Sequence, residues 1–245
     1  MHPLESISFL NHSFEIIRKK RRKSLSVKLQ PQCYRIYANN SISSSFILTF
    51  LMSKKKWLEK NIEILKNEQK NIPIIDFLEG NLFPFLGNLK YFNFVLKPSK
   101  KIHFAVEDGF LICYLPKNKP ELQDDKVLLK KVLIEFYKKY ATDYLVKRCK
   151  DLGRKMNLSP ARIKIQTAQR RWGSCTSKKN INLNWKLLIF PPRLIDYVIV
   201  HELCHLQHLN HSKSFWNLVE HFYPHYLEAE NEIKSQAAWA TFLDI

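Results

Sequence analysis

Apolar and polar positions alternate in short runs through the first half of the chain and recur every three or four residues later. This pattern predicts sheet first and helix afterwards. Phe14 to Arg18, Leu25 to Leu29 and Tyr34 to Tyr37 read as short strands of a small antiparallel sheet. From about Ser45 to Lys70, the apolar residues Phe46, Phe50, Leu51, Trp57, Leu58, Ile62 and Leu65 fall at helical spacing. Ser43, Ser44 and Ser45 stand ready to cap one amphipathic helix there. Strand-like runs return at Leu82 to Leu86, Tyr91 to Leu96, Ile102 to Val106 and Phe110 to Leu115, punctuated by the turn pairs Gly87-Asn88 and Asp108-Gly109. The segment from Pro116 to Pro120 closes this region. Residues 1–118 are therefore expected to form a β-rich N-terminal subdomain with one long helix.

The second domain is expected over residues 119–245. A helix from Pro120 to about Asp151 carries Leu128, Leu129, Val132, Leu133, Phe136, Tyr137, Tyr140, Tyr144 and Leu145 on its inward stripe, and Gly153 suits the C′ position that ends it. Arg162 to Gln166 and Asn180 to Leu187 alternate with period two and read as paired strands. In the second of them Ile181, Leu183, Trp185 and Leu187 share one face and Asn182, Asn184 and Lys186 the other. Pro191-Pro192 then opens a helix whose body, Leu194 to Val200, is apolar nearly all round and so predicted to be buried. Ser212 is placed to cap a helix from Lys213 to Phe222, and Pro224 restarts a last helix that reads as a brace. The fold class this implies is α+β.

Composition adds bounds. The chain has 245 residues, 45% of them hydrophobic, which suffices for one sizeable core or two modest ones. No apolar run reaches the roughly 18 residues of a membrane span, and Met1 to Glu5 do not open a signal peptide, so a cytoplasmic protein is expected. The five cysteines form no C-x-x-C pair and are expected to be reduced thiols. The formal net charge of +18 favours anionic partners, with nucleic acid, nucleotides and acidic peptides all admissible. The lysines are nevertheless scattered, as on an ordinary solvated surface.

The chemistry is concentrated in the run from His201 to His211. On a helix His201 and His205 project from one face and can share a metal, while Glu202 lies beside them, placed to take a proton from a metal-bound water. Two histidines compete as third ligand. On a straight helix His208 would lie about 10 Å along the axis from His201, too far for bonds of about 2.0 to 2.1 Å. His211 reaches the site once the chain turns, with Asn210 available for a left-handed residue. The 201, 205, 211 spacing is also that of metzincins. Those need a glycine where this chain has His208, and a Met-turn; no methionine follows Met156.

Arg171-Trp172-Gly173-Ser174-Cys175, Asn182-Leu183-Asn184-Trp185, Pro191-Pro192, Asp196-Tyr197-Val198, His201 to Leu206, Asn210-His211-Ser212 and Phe215-Trp216 together resemble the YgjP-like metal-dependent hydrolases, relatives of the SprT-like and WLM zinc metallopeptidases. The resemblance extends more loosely to Arg22 to Ser26 and Lys56-Trp57-Leu58. It implies a zincin-type catalytic domain, metal ligands at His201, His205 and His211, and a glutamate base at Glu202.

The expected function is a zinc-dependent hydrolase, a metallopeptidase, with Zn²⁺ as cofactor and a peptide or other anionic substrate. Arg171 and Asn184 are the candidate substrate contacts, the polar strand face lying beside the cleft where an edge strand would pair with an extended peptide. Arg171 and Tyr223 are candidates for oxyanion stabilisation by residue type. Two alternatives stand beside this reading: a hydrolase of nucleotide phosphoanhydrides using the same zinc, and a nucleic-acid-associated protein with a structural zinc.

Overall fold

The computed structural model describes residues 5–30, 33–70, 76–169, 171–237 and 239–240. Arg170 and the side chain of Leu65 lie outside the described residues. The chain divides into two compact units, 1–72 and 73–245. The division falls well before residue 118, because the second set of strands packs with the helices C-terminal to it.

In the first unit, β1 (Ser6–Phe9), β2 (His12–Arg18), β3 (Ser26–Gln30) and β4 (Cys33–Ala38) form a sheet of order β1-β2-β4-β3. The sheet is mixed, not antiparallel: β4 lies between its neighbours, parallel to β2 and antiparallel to β3. The loop after β2 carries the chain over to β3, so the β3–β4 hairpin returns with β4 beside β2. Alternation alone cannot report strand direction. The expected single helix is two, α1 (Ser44–Ser53) and α2 (Lys55–Lys70), broken at Lys54. Ser43 caps the first as anticipated, its hydroxyl accepting from the Phe46 N–H at 3.2 Å. Phe14, Ile16, Ile36 and Ala38 from the sheet close a core with Ile47, Leu51, Leu58 and Ile62 from the helices.

The second unit opens with β5 (Leu82–Phe85), β6 (Asn88–Lys97), β7 (His103–Glu107) and β8 (Phe110–Pro116), ordered β5-β6-β8-β7. Strand order and directions repeat those of the first sheet. Its hairpins are set by left-handed residue pairs, Leu86-Gly87 and Asp108-Gly109, as two-residue turns of this hand require. The first hairpin tip is anchored: the Leu86 and Gly87 N–H groups donate to the carbonyls of Leu188 and Ile189.

Helix α3 (Lys126–Lys155) follows a short 3₁₀ turn and is capped by the Asp125 carboxylate, which accepts from the Leu128 N–H at 2.9 Å. Of the stripe read from spacing, Leu129, Leu133, Tyr137 and Leu145 are buried, Leu128, Val132, Phe136 and Tyr144 half-buried and Tyr140 exposed, while Ala141 joins the buried face. Gly153 does not end the helix; it lies inside it, and Asn157 takes the left-handed conformation just beyond. Gly153 serves close approach instead, since a Cβ there would stand 2.5 Å from the Leu158 carbonyl oxygen.

A three-stranded sheet, ordered β10-β11-β9, then forms from β9 (Arg162–Gln166), β10 (Gly173–Cys175) and β11 (Asn180–Asn184). The predicted strand to Leu187 stops at Asn184, and residues 185–189 coil into a buried 3₁₀ turn. Lys186 is buried there rather than sharing an open polar face. Next come α4 (Pro192–Cys204), α5 (Lys213–Phe222) and α6 (Tyr226–Gln236). Pro192 occupies the first turn of α4, and Leu194 to Val200 are buried apart from half-buried Asp196, as the apolar pattern demands. The Arg148 guanidinium grips the Asp196 carboxylate through two bonds of 2.6 and 2.5 Å, fastening α4 to α3. Among the described residues no helix is long and apolar enough to cross a membrane.

Candidate metal centre

The site is built on the last turn of α4 and the segment that leaves it. His201 and His205 stand one helical turn apart, with ring centroids 5.0 Å from each other. The helix then ends at Cys204, with His205 as cap. The Leu206, Gln207 and His208 N–H groups donate back to the carbonyls of Leu203 and Cys204, tightening the last turn. Asn210 is not among the left-handed residues, so the expected Asn210 device is absent and this tightened turn redirects the chain. His211 comes back to within 3.1 Å of His201, Nε2 to Nε2.

Ligand atoms of His201, His205 and His211 all lie within 4.8 Å of one another. Imidazole nitrogens on a tetrahedral zinc stand roughly 3.4 Å apart, so the pair at 3.1 Å has near-ligand spacing. Facing lone pairs at that distance repel unless a proton or a cation sits between them. His208, the rival ligand, contributes its backbone: its carbonyl meets His205 Nδ1 at 2.8 Å. With the proton on Nδ1, this contact fixes the ring and leaves Nε2 as the bare donor, the arrangement usual for a ligating histidine. Phe215 on α5 packs against all three rings, at 5.0, 4.4 and 4.8 Å, and Trp216 stacks on His211 at 5.6 Å. Ser212 caps α5 through the Phe215 N–H, which sets this aromatic floor in place.

Burial dominates the electrostatics. It pushes His201 down to about 3, with the neighbouring histidines acting in the same direction, and it also lowers His205. Both are therefore neutral at ordinary pH, the form that binds metal. Burial pushes Glu202 up to about 8, opposed by the charge of Arg171. Two buried polar atoms, His201 Nδ1 and Glu202 Oε2, meet no hydrogen-bond partner among the described residues. An orphaned carboxylate oxygen beside three converging imidazoles is costly in an apoprotein and suits a site that takes in a cation and water. The donor set fits a divalent metal.

Strand β10 lies over Glu202. Gly173 is needed for this approach, since a Cβ there would stand 2.6 Å from both Cγ and Oε1 of Glu202. Beside it opens a cavity of about 270 Å³ lined by Arg171, Trp172, Gly173, Tyr197, Val198, His201 and Glu202, with Glu230, Ile233 and Lys234 from α6 as the facing wall. The last helix thus forms part of the site and is more than a brace.

The other sequence-derived candidates are dispersed. Arg171 lines the cavity. Asn184 is 2% exposed; its amide donates to the carbonyls of Ala168 and Arg171, and its oxygen accepts from the Lys186 N–H, so it moors the turn that presents Arg171 and Trp172. Asn182 donates to the Ser174 hydroxyl at 3.2 Å. The polar strand face is thus occupied by internal contacts. The Tyr223 hydroxyl donates to the Arg193 carbonyl at 3.0 Å. Tyr197 and Gly173 received no role from sequence. For Tyr197 the signal was present, because it stands four residues before His201 on a helix and therefore on the same face.

Three histidines from a helix and its exit, with a buried glutamate between the first two, thus form a candidate metal centre, and the family match places the chain among the metal-dependent hydrolases. The chain belongs to the YgjP-like family: the family model described as YgjP-like, metallopeptidase domain, matches residues 23–236. Among solved structures it is similar to the metallopeptidase zymogen of Pyrococcus abyssi abylysin, at 21% identity over 38% of this chain and 93% of that one, with a TM-score of 0.35. It is also similar to the metallopeptidase zymogen of Methanocaldococcus jannaschii jannalysin, at 23% identity over 38% and 96%, with a TM-score of 0.35. No curated protein matches the chain.

Proposed function

We propose that the protein is a zinc-dependent peptidase in which His201, His205 and His211 hold the metal and Glu202 is the general base. The observation that carries this reading is the convergence of three ligand nitrogens beside the unpartnered Oε2 of Glu202. Three imidazole nitrogens favour zinc among the common divalent metals. When bound, zinc supplies Lewis acidity, polarising a carbonyl group and making water a stronger acid.

The remaining work falls to the chain. Glu202 Oε2 receives the proton of the attacking water and passes it to the departing amide nitrogen. Its apolar surroundings raise its basicity, while Arg171 restrains the rise. Phe215 and Trp216 hold the histidine rings, and β10, an edge strand passing over Glu202, offers free backbone groups to an extended peptide. The basic charge of the chain suits acidic peptides.

The test is a zinc-loaded sample assayed against a peptide library and a panel of nucleoside triphosphates, each with and without chelator. Chelator-sensitive peptide cleavage that disappears in Glu202→Gln, with zinc retained, is the expected result. Turnover confined to the nucleotides would replace the peptidase reading with that of a phosphoanhydride hydrolase. Undiminished turnover in Glu202→Gln would remove the glutamate mechanism.

A further inference from the structure

We propose that the phenol of Tyr197 is the hydrogen-bond donor that meets the negative oxygen developed at the scissile carbonyl, an inference that rests on the peptidase reading above. Tyr197 precedes His201 by four residues on α4, its ring centroid 6.1 Å from that of His201, and it lines the cavity with His201, Glu202 and Arg171. Its side chain is almost wholly covered, at 5% exposure. Yet among the described residues no hydrogen-bond partner meets its hydroxyl.

That combination is unusual, because a tyrosine with a buried ring normally finds a partner for its hydroxyl. Two other phenols, one in the core and one beside Tyr197, do so. Tyr137 donates to the Pro84 carbonyl at 2.6 Å, and Tyr223, whose ring lies 5.7 Å from that of Tyr197, donates to the Arg193 carbonyl. The Tyr197 hydroxyl is instead left for whatever enters the cavity.

The rival donors fit the role less well. Lys234 is paired with Glu230 at 2.7 Å. Arg171 is exposed, and a cation drawn further in beside Glu202 would weaken the base it is meant to assist. A neutral donor on the cavity wall stabilises the oxyanion without that penalty. The phenolic proton stays on Tyr197 throughout. Water oxygen adds to the carbonyl carbon, Glu202 carries the water proton to the amide nitrogen, and breaking the C–N bond yields a carboxylic acid and an amine.

The experiment compares wild type, Tyr197→Phe and Glu202→Gln on the best peptide from the library. It reads kcat, KM, zinc content, thermal midpoint and the affinities of a phosphinic isostere of that peptide and of its cleavage product. For Tyr197→Phe, zinc content and thermal midpoint should match wild type and KM should stay within about two-fold, while kcat falls about 100-fold. The phosphinic isostere should weaken by a similar factor and the product peptide should not. Unchanged kcat overturns the proposal. So does a kcat loss accompanied by lost zinc or a lowered thermal midpoint, which would make the hydroxyl structural. A wild type that cleaves no peptide removes the peptidase reading and this inference together; an inactive Glu202→Gln beside a fully active Tyr197→Phe removes this inference alone.

Discussion

Gly173 and Glu202 are in van der Waals contact across the gap between β10 and α4, so close that a single methyl on Gly173 would stand 2.6 Å from the glutamate's Cγ and Oε1. The strand that covers Glu202 also fixes its rotamer. Gly173→Ala must displace either the strand or the carboxylate, and a misplacement of about 1 Å at a reacting group costs on the order of 100-fold in rate. We expect kcat to fall by about that factor with zinc content unchanged, measured by steady-state kinetics and metal analysis. Wild-type kcat in Gly173→Ala would show that Glu202 has room the geometry denies it.

His208 and His211 are separated by role. His208 acts through its carbonyl, so His208→Ala should keep its zinc. His211→Ala removes a proposed ligand and should lower zinc affinity by more than the 10- to 100-fold, roughly, that is typical of outer contacts. Competition against a chromogenic chelator measures both. Equal losses in the two variants would restore His208 as a ligand.

Asn184 tests the difference between contacting a substrate and holding a turn. Asn184→Ala leaves the part-buried carbonyls of Ala168 and Arg171 without their donor, at a cost of about 1–2 kcal/mol. The urea midpoint should fall accordingly, and activity should fall with it as Arg171 and Trp172 lose their mooring. A variant with lowered activity and an unchanged midpoint would return Asn184 to the substrate.

The metal-free protein should lose stability between pH 6.5 and pH 8. His201 and His205 are lowered from their ordinary value of 6.5 in the folded state, so the unfolded chain binds more protons below 6.5 and stability falls as the solution is acidified. Glu202 is raised from 4.5 to about 8, so between these values the folded state holds the extra proton and stability falls as pH rises. Below pH 6.5 the histidines and the glutamate oppose one another; above it the glutamate dominates. From pH 6.5 to 8 the loss is about 2 kcal/mol at roughly 1.36 kcal/mol per unit. Urea titrations in chelator at pH 5.5, 6.5 and 8 check this, and stability that keeps rising to pH 8 would contradict it.

Much of the site was legible because its residues are local. His201, Glu202 and His205 sit on one short helix, and Pro192 and Ser212 mark where the flanking helices begin. The return of His211 followed from length arithmetic, although the turn that achieves it uses backbone contacts at residues 206–208 and not Asn210. The features that stayed hidden depend on tertiary contact. A buried Lys186, the parallel pairing of β2 with β4, and a glycine kept for space instead of for φ leave no periodic trace. The internal bonds of Asn184 stayed hidden for a related reason: an asparagine on a strand looks the same in sequence whether it faces a cleft or ties down a loop.

The anchored tip of the β5–β6 hairpin bears on how little of the chain can stand alone. Leu86 and Gly87 bond to the residues just ahead of α4, and Gly87 sits so tightly on Pro191 that a Cβ would come within 2.5 Å of it. The hairpin is therefore a wedge under the start of the helix that carries His201. A fragment beginning at residue 119 would keep every proposed ligand yet lose that wedge, whereas one beginning near residue 73 would keep both. The smallest autonomous catalytic piece is set by what braces the helix, not by where the motif begins.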